Sequence, residues 1–185
     1  MSGYCDSAPG HPVHAPYHDH EYGFPIDDDA ALFERLVLEI NQAGLSWLTI
    51  LNKRAAFRAA YDGFDIATVA RYGDADRARL LADAGIIRNR LKVDAAIHNA
   101  GVLEALVGEY GSLRAWLDDE AARHGVDRTA WTRAFKRRLK FMGGEIVGEF
   151  LMSTGYLPGA HREDCPVHAR ILAASPAWRR ATAGA

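Results

Sequence analysis

The chain carries two cysteines, one in GYCDSAPG near its start and one in AHREDCPVH near its end. Each has a histidine close by: His18 follows Cys5, and His161 precedes Cys165. Two thiolates and two imidazoles form a donor set that zinc takes in a tetrahedron. His161 and Cys165 are close enough in sequence for one helical turn or tight loop to aim both at a single ion. Cys5 and His18 would then arrive from the other end of the chain, and the site would clasp the two termini together. Four protein ligands leave no open position, so such an ion would be structural. The spacing is not that of a common zinc finger. With eight histidines in the chain, and His11, His14, His20 and His168 also near, unrelated packing of the same residues fits the spacing equally well.

A second cluster surrounds LEINQAGLSW. Glu39 sits between Leu38 and Ile40, late in an apolar helical pattern. Leu36, Ile40 and Ala43 share the core face, so Glu39 can edge a cleft or simply face solvent. Gly44 precedes Leu45, an apolar residue at a turn, readable as core or as a wedge offered to a partner. Trp47 is core or a stacking platform. In APYHDHEYG, Tyr17 and Tyr22 flank His18, so a metal that fixed His18 would also position Tyr17. An acid, a Trp and a Tyr around one pocket would suit a flat cationic ligand, although periodicity alone does not bring them together. Two basic runs, RNRLK (88–92) and KRRLK (136–140), are solvated helix faces or anion contacts.

The elements that must position these residues read as helices throughout. A chain of 185 residues with net charge -2 is expected to form one soluble domain with a real core. The charge gives no sign of bulk nucleic-acid binding, though it leaves room for a few phosphate contacts. No apolar run is long enough to span a bilayer, and no basic start precedes an apolar stretch, so a cytoplasmic protein without membrane attachment is expected. Residues 1–27 are rich in Pro, Gly, His and Asp and read as ordered loop or disorder. From Asp28 a helix carries Leu32, Phe33, Leu36, Val37 and Ile40 on one face and ends before Gly44; Ser46 is the expected N-cap of the next. Further helices are expected over 65–71, 74–83, 88–109, 112–123, 128–138 and 143–155. No segment alternates with period two. The fold class is therefore all-α, a single domain made of an N-terminal segment (1–27), a helical core (28–155) with a hairpin near 80–100, a C-terminal segment (156–174) and a loosely held tail (175–185). In the hairpin, Gly85 allows a tight turn, and the new helix start beside Arg88, Asn89 and Arg90 offers backbone N–H groups that suit a phosphate.

Taken together, YHDHEYGFP, LFERLVLEINQAGLSWLTILNKR, DAGIIRNRLKV, LKFMG and the terminal His161/Cys165 pair resemble the DNA-3-methyladenine glycosylase I family, the helix-hairpin-helix enzymes of bacterial alkylation repair. The resemblance runs from Cys5 to about Cys165. It implies a monofunctional hydrolase acting on alkylated double-stranded DNA, releasing free 3-methyladenine and leaving an abasic site. It also implies that Glu39 is the catalytic residue, accepting hydrogen bonds from a flipped base, with Tyr17, Tyr22 and Trp47 binding that base and Trp47 and Tyr17 sandwiching it. Gly44 and Leu45 would enter the DNA; Gly85, Arg88, Arg90 and Lys92 would grip its backbone. Cys5, His18, His161 and Cys165 would hold one structural Zn2+ that clasps the N- and C-terminal segments. A monomer is expected. The chain departs from the family pattern at Asp6-Ser7, where Gly-Trp is usual, at Tyr22, where Trp is usual, and at Arg138-Leu139 and Gly144-Glu145. These departures bear on substrate range. They leave open a glycosylase for another cationic alkylpurine such as N7-methylguanine, or a zinc protein that binds damaged DNA without turnover.

Overall fold

A computed structural model describes residues 3–183. Among the described residues all regular structure is helical. The helices are α1 (Tyr4–Ser7), α2 (His14–His20), α3 (Asp29–Gln42), α4 (Trp47–Ala60), α5 (Ile66–Ala70) and α6 (Asp74–Ala82). They continue with α7 (Arg90–Tyr110), α8 (Leu113–His124), α9 (Arg128–Arg138), α10 (Gly144–Ser153), α11 (Pro166–Ala173) and α12 (Ala177–Ala183).

Helix α3 is the axis of the domain. It starts where the Asp28 carboxylate accepts the Ala31 N–H, and every residue from Leu32 to Asn41 is buried. A helix buried all round must be packed on several sides, and α4, α7, α8 and α10 all lie against it. The α3–α4 connection is tight. Gly44 adopts φ +82°, the Leu45 N–H donates to the Gln42 carbonyl at 2.7 Å, and Ser46 caps α4 through the Thr49 N–H. Leu45 is left at the tip of this turn.

The hairpin from α6 to α7 is closed by its own side chains. Asp83 accepts the Gly85 N–H at 2.7 Å, and Asn89 accepts the Lys92 N–H at 3.2 Å as N-cap of α7. The second helix thus begins at Arg90 rather than Arg88. Gly85 is needed for a reason that spacing did not reveal: a Cβ there would come within 3.0 Å of Ala56 on α4.

Two lysines brace these connections reciprocally. Lys53 of α4 donates to the Ala84 and Gly85 carbonyls of the hairpin at 3.0 and 3.2 Å. Lys92 of α7 donates to the Asn41 and Ala43 carbonyls behind Gly44, both at 2.8 Å. The last carbonyls of a helix lack intrahelical partners. Lys92 satisfies two such groups, which is why it is only 6% exposed.

The ends of the chain correct the sequence expectation. Residues 1–27, read as loop, contain α1 and α2. Beyond 156, α11 begins with Pro166 at its first position, where a proline is tolerated. Of the tail beyond Ala173, expected to be loosely held, Ala177–Ala183 form α12, which packs on α8 with Ala177 buried; residues 184–185 lie outside those described. These helices are too short to show a periodic apolar stripe and are held by tertiary contact, so periodicity missed them. An ion-pair network ties the N-terminal segment to the core: Glu21 receives Arg54 at 2.7 Å and Arg35 at 3.3 Å, and Glu34 receives Arg54 and, at 2.6 Å, Arg58. The buried Arg35 also donates to the Ser153 carbonyl of α10 at 3.1 Å.

Gly23 sits where the two ends meet. Its φ is +88°, and a Cβ would fall 2.8 Å from both Ala160 Cβ and Ile171 Cδ1. Gly23→Ala is expected to destabilise the domain by about 2 kcal/mol or more, lowering Tm by several degrees in a calorimetric scan.

Candidate active site

A cavity of about 670 Å³ opens between α3, α4, α10 and the N-terminal segment. Glu39 reaches it from α3, Trp47 from the first position of α4, and Tyr17 and Tyr22 from α2 and the turn after it. The four residues expected to gather around a base do converge. Gly44 forms part of the rim, and Leu45 stands beside it, 38% exposed.

The pocket is aromatic on one side and acidic on the other. The Tyr17 ring lies 5.2 Å from Trp47 and 5.7 Å from Tyr22, centroid to centroid. Arg35 backs Tyr17 at 4.8 Å from the ring centre. The Tyr17 hydroxyl and the Trp47 indole N–H are buried without a hydrogen-bond partner among the described residues, an arrangement that normally awaits a ligand or water. Tyr17 and Trp47 are adjacent walls, tilted 57° to each other. A base held between two parallel ring faces needs about 7 Å between them, so the expected sandwich does not fit this arrangement.

Glu39 is buried and has no ion pair among the described residues. Burial pushes its carboxyl up to about 8; Arg35 opposes the rise and Glu149 adds to it. A carboxylate held this way gains most from a cationic ligand.

Two lining residues escaped the sequence reading. Tyr4, adjacent to Cys5, packs edge-on against Tyr22 at 5.6 Å and adds a further aromatic wall to the cavity. Asp6 points away from the pocket and forms a two-pronged ion pair with Arg162 at 2.7 and 2.8 Å. Glu149 on α10 faces the cavity and accepts the Tyr22 hydroxyl at 3.3 Å. The residue next to a candidate ligand and a lone acid in the apolar run VGEFLM were the available signals.

Behind the aromatic wall, Cys5, His18, His161 and Cys165 come together, all buried, with their ligand atoms within 4.8 Å of one another. The Cys165 Sγ lies 3.5 Å from His161 Nδ1 and 3.9 Å from His18 Nε2, and Cys5 Sγ lies 3.7 Å from His161 Nδ1. A tetrahedron with bonds of about 2.0–2.3 Å has edges of about 3.3–3.8 Å, so the cluster can hold a metal ion. The outer nitrogens fit the same reading. His161 Nε2 donates to the Tyr22 carbonyl at 2.9 Å and His18 Nδ1 to the Asp19 carboxylate at 2.7 Å. Each partner can only accept, so each ring turns its lone pair toward the cluster.

Of the residues expected to grip a phosphate backbone, Arg88 and Arg90 are exposed at the start of α7, and Gly85 forms the turn before them. Lys92 is not available for that role, because its ammonium is committed to the two carbonyls described above. Its side chain turns back from α7 into the protein rather than outward.

Comparison with known proteins gives a consistent picture. Residues 7–168 match the model of a family described as methyladenine glycosylase. Over 170 residues the chain is 34% identical to a DNA-3-methyladenine glycosylase of Haemophilus influenzae, covering 83% of this chain and 91% of that one. A segment of 89 residues is 49% identical to DNA-3-methyladenine glycosylase 1 of Escherichia coli, spanning about half of each chain (48%). A crystal structure of a 3-methyladenine DNA glycosylase I variant in complex with 3-methyladenine superposes with a TM-score of 0.79 at 32% identity, covering 89% of this chain and 97% of that one.

The raised carboxyl has a consequence for stability. Between its ordinary value of 4.5 and about 8, folded Glu39 keeps a proton that the unfolded chain has released. The fold is therefore weakened by this residue as pH climbs through that window, and fully above it. Glu39→Gln is expected to stabilise the protein by about 4 kcal/mol at pH 9 and to be neutral near pH 4. Denaturant unfolding of both proteins across this range checks it.

Proposed function

This chain belongs to the methyladenine glycosylase family, and from that membership we propose that it hydrolyses the N-glycosidic bond of N3-methyladenine in alkylated double-stranded DNA. The observation that carries the reading is the buried carboxyl of Glu39, without an ion pair among the described residues, in a cavity walled by Trp47, Tyr17 and Tyr22. Methylation at N3 makes the base a cation. A cationic base leaves readily, so the enzyme's task is to select it and hold it rather than to protonate it. The flipped base enters the pocket, Trp47 covers one face, and Glu39 ionises against its charge. Arrival of the cation pulls the raised carboxyl back toward its ionised form, so Glu39 supplies more attraction to the charged base than to a neutral one. The N9–C1′ bond then breaks with its electron pair passing to the base, which becomes neutral. Water adds to C1′ and gives its proton to the solvent, leaving an abasic site and the neutral free base.

Leu45 fills the gap left by the extruded nucleotide, an apolar wedge of the kind that kinks a duplex. The hairpin of Gly85, Arg88 and Arg90 holds the backbone, in the manner of a helix-hairpin-helix element. The protein works as a cytoplasmic monomer. The Cys/His cluster holds one Zn2+, which fixes the two ends of the chain and takes no part in the chemistry.

Chromatography of bases released from methylated duplex DNA tests the reading. Release of 3-methyladenine with 7-methylguanine left behind supports it; release of another alkylpurine moves the specificity; no release by folded protein leaves a damaged-DNA-binding protein. Glu39→Gln should lower excision by about 100-fold or more while the protein stays folded, and near-normal excision would remove Glu39 from the mechanism. Metal analysis should find one zinc per chain. Cys165→Ser should lose it and unfold several degrees lower.

A further inference from the structure

The acidic residues near the cavity fall into two groups. Glu21, next to Tyr22, and Glu34, on α3, are each held by arginines. Glu145, at the start of α10, pairs with Arg128 at 2.9 Å. Glu39 and Glu149 are the exceptions: among the described residues neither forms an ion pair with a lysine or arginine, and both line the same cavity. They reach it from different helices, α3 and α10, which pack against each other. Among the described residues the side-chain hydrogen bond to Glu149 comes from the Tyr22 hydroxyl, itself a pocket wall.

Two acids on one largely apolar cavity cannot both ionise without repelling each other, and burial disfavours the charge on each. Such a pair is unfavourable in an empty site. It is relieved by one kind of guest, a body carrying positive charge that reaches both groups. A neutral purine of similar shape relieves neither the repulsion nor the desolvation. The second carboxylate thus adds little to the binding of flat aromatic ligands in general, and much to the difference between charged and uncharged ones.

We propose that Glu149 is a second specificity-determining carboxylate of this pocket, acting with Glu39 to favour a cationic purine over a neutral one. The proposal rests on the glycosylase reading above and adds a residue to it. The test is a pair of calorimetric titrations of the full chain. One uses 3,9-dimethyladeninium, whose charge is fixed and whose N9 methyl stands in for the sugar; the other uses neutral 9-methyladenine. Wild-type protein is expected to prefer the cation. Glu149→Gln should weaken cation binding by roughly tenfold and leave the neutral ligand within about twofold. Glu149→Asp, which keeps the charge, should retain most of the preference. If Glu149→Gln weakens both ligands equally, or changes neither, the proposal fails. It also fails if Tyr22→Phe reproduces the Glu149→Gln pattern, because Glu149 would then act only as an anchor for the Tyr22 hydroxyl. The titrations require no turnover, so absence of base release by wild-type protein would count against the glycosylase reading and not against this assignment.

Discussion

Keeping the carboxylate of Glu39 out of water is the constraint around which the rest of the molecule is arranged. Desolvating an acid is unfavourable unless a positive charge or several donors compensate it. Arg35 is near enough to help, yet its guanidinium is already engaged by Ser153 and Glu21. The surrounding arginines are likewise taken up by Glu21 and Glu34. The fold therefore commits its nearby arginines elsewhere and leaves the Glu39 carboxyl, on the cavity wall, without an ion pair among the described residues. Stability is given up locally, and what is gained is a site whose best partner comes from outside.

That arrangement requires walls that stay in place. Three of them, Tyr4, Tyr17 and Tyr22, belong to an N-terminal segment with little intrinsic structure. Cys5 and His18 lie beside Tyr4 and Tyr17, and the Tyr22 carbonyl accepts from His161. The cluster of thiols and imidazoles thus touches every tyrosine of the pocket through a neighbour or a hydrogen bond. The Asp6–Arg162 pair and the close packing at Gly23 reinforce the same junction. The junction of the two termini and the shape of the pocket are one structural problem.

Much of this was legible in the residues. The long helices could be placed because their apolar stripes, N-caps and terminal glycines agree; Asp28, Ser46, Asn89, Ser112 and Asp127 all accept first-turn N–H groups. Glu39 could be singled out because an acid amid an apolar run is unusual. The short terminal helices could not, since tertiary contact rather than local pattern holds them. Tyr4 and Glu149 were missed because no periodicity relates the first turn of the chain to α10; only the closed fold brings them face to face. Lys92 misled for the opposite reason. A lysine in a basic run looks like a solvent-facing charge, and the unpaired carbonyls that claim it belong to a loop some fifty residues earlier.

The reciprocal lysines have a mechanical meaning. Each anchors in the other's connection, so the α3–α4 turn and the α6–α7 hairpin cannot slide independently. The molecule presents them as a caliper of set width, with the leucine on one jaw and the arginines on the other. A rigid gauge of this kind does not mould itself to a straight duplex. In the proposed complex the deformation falls on the DNA, and sites where stacking is already weakened fit the gauge with the least distortion.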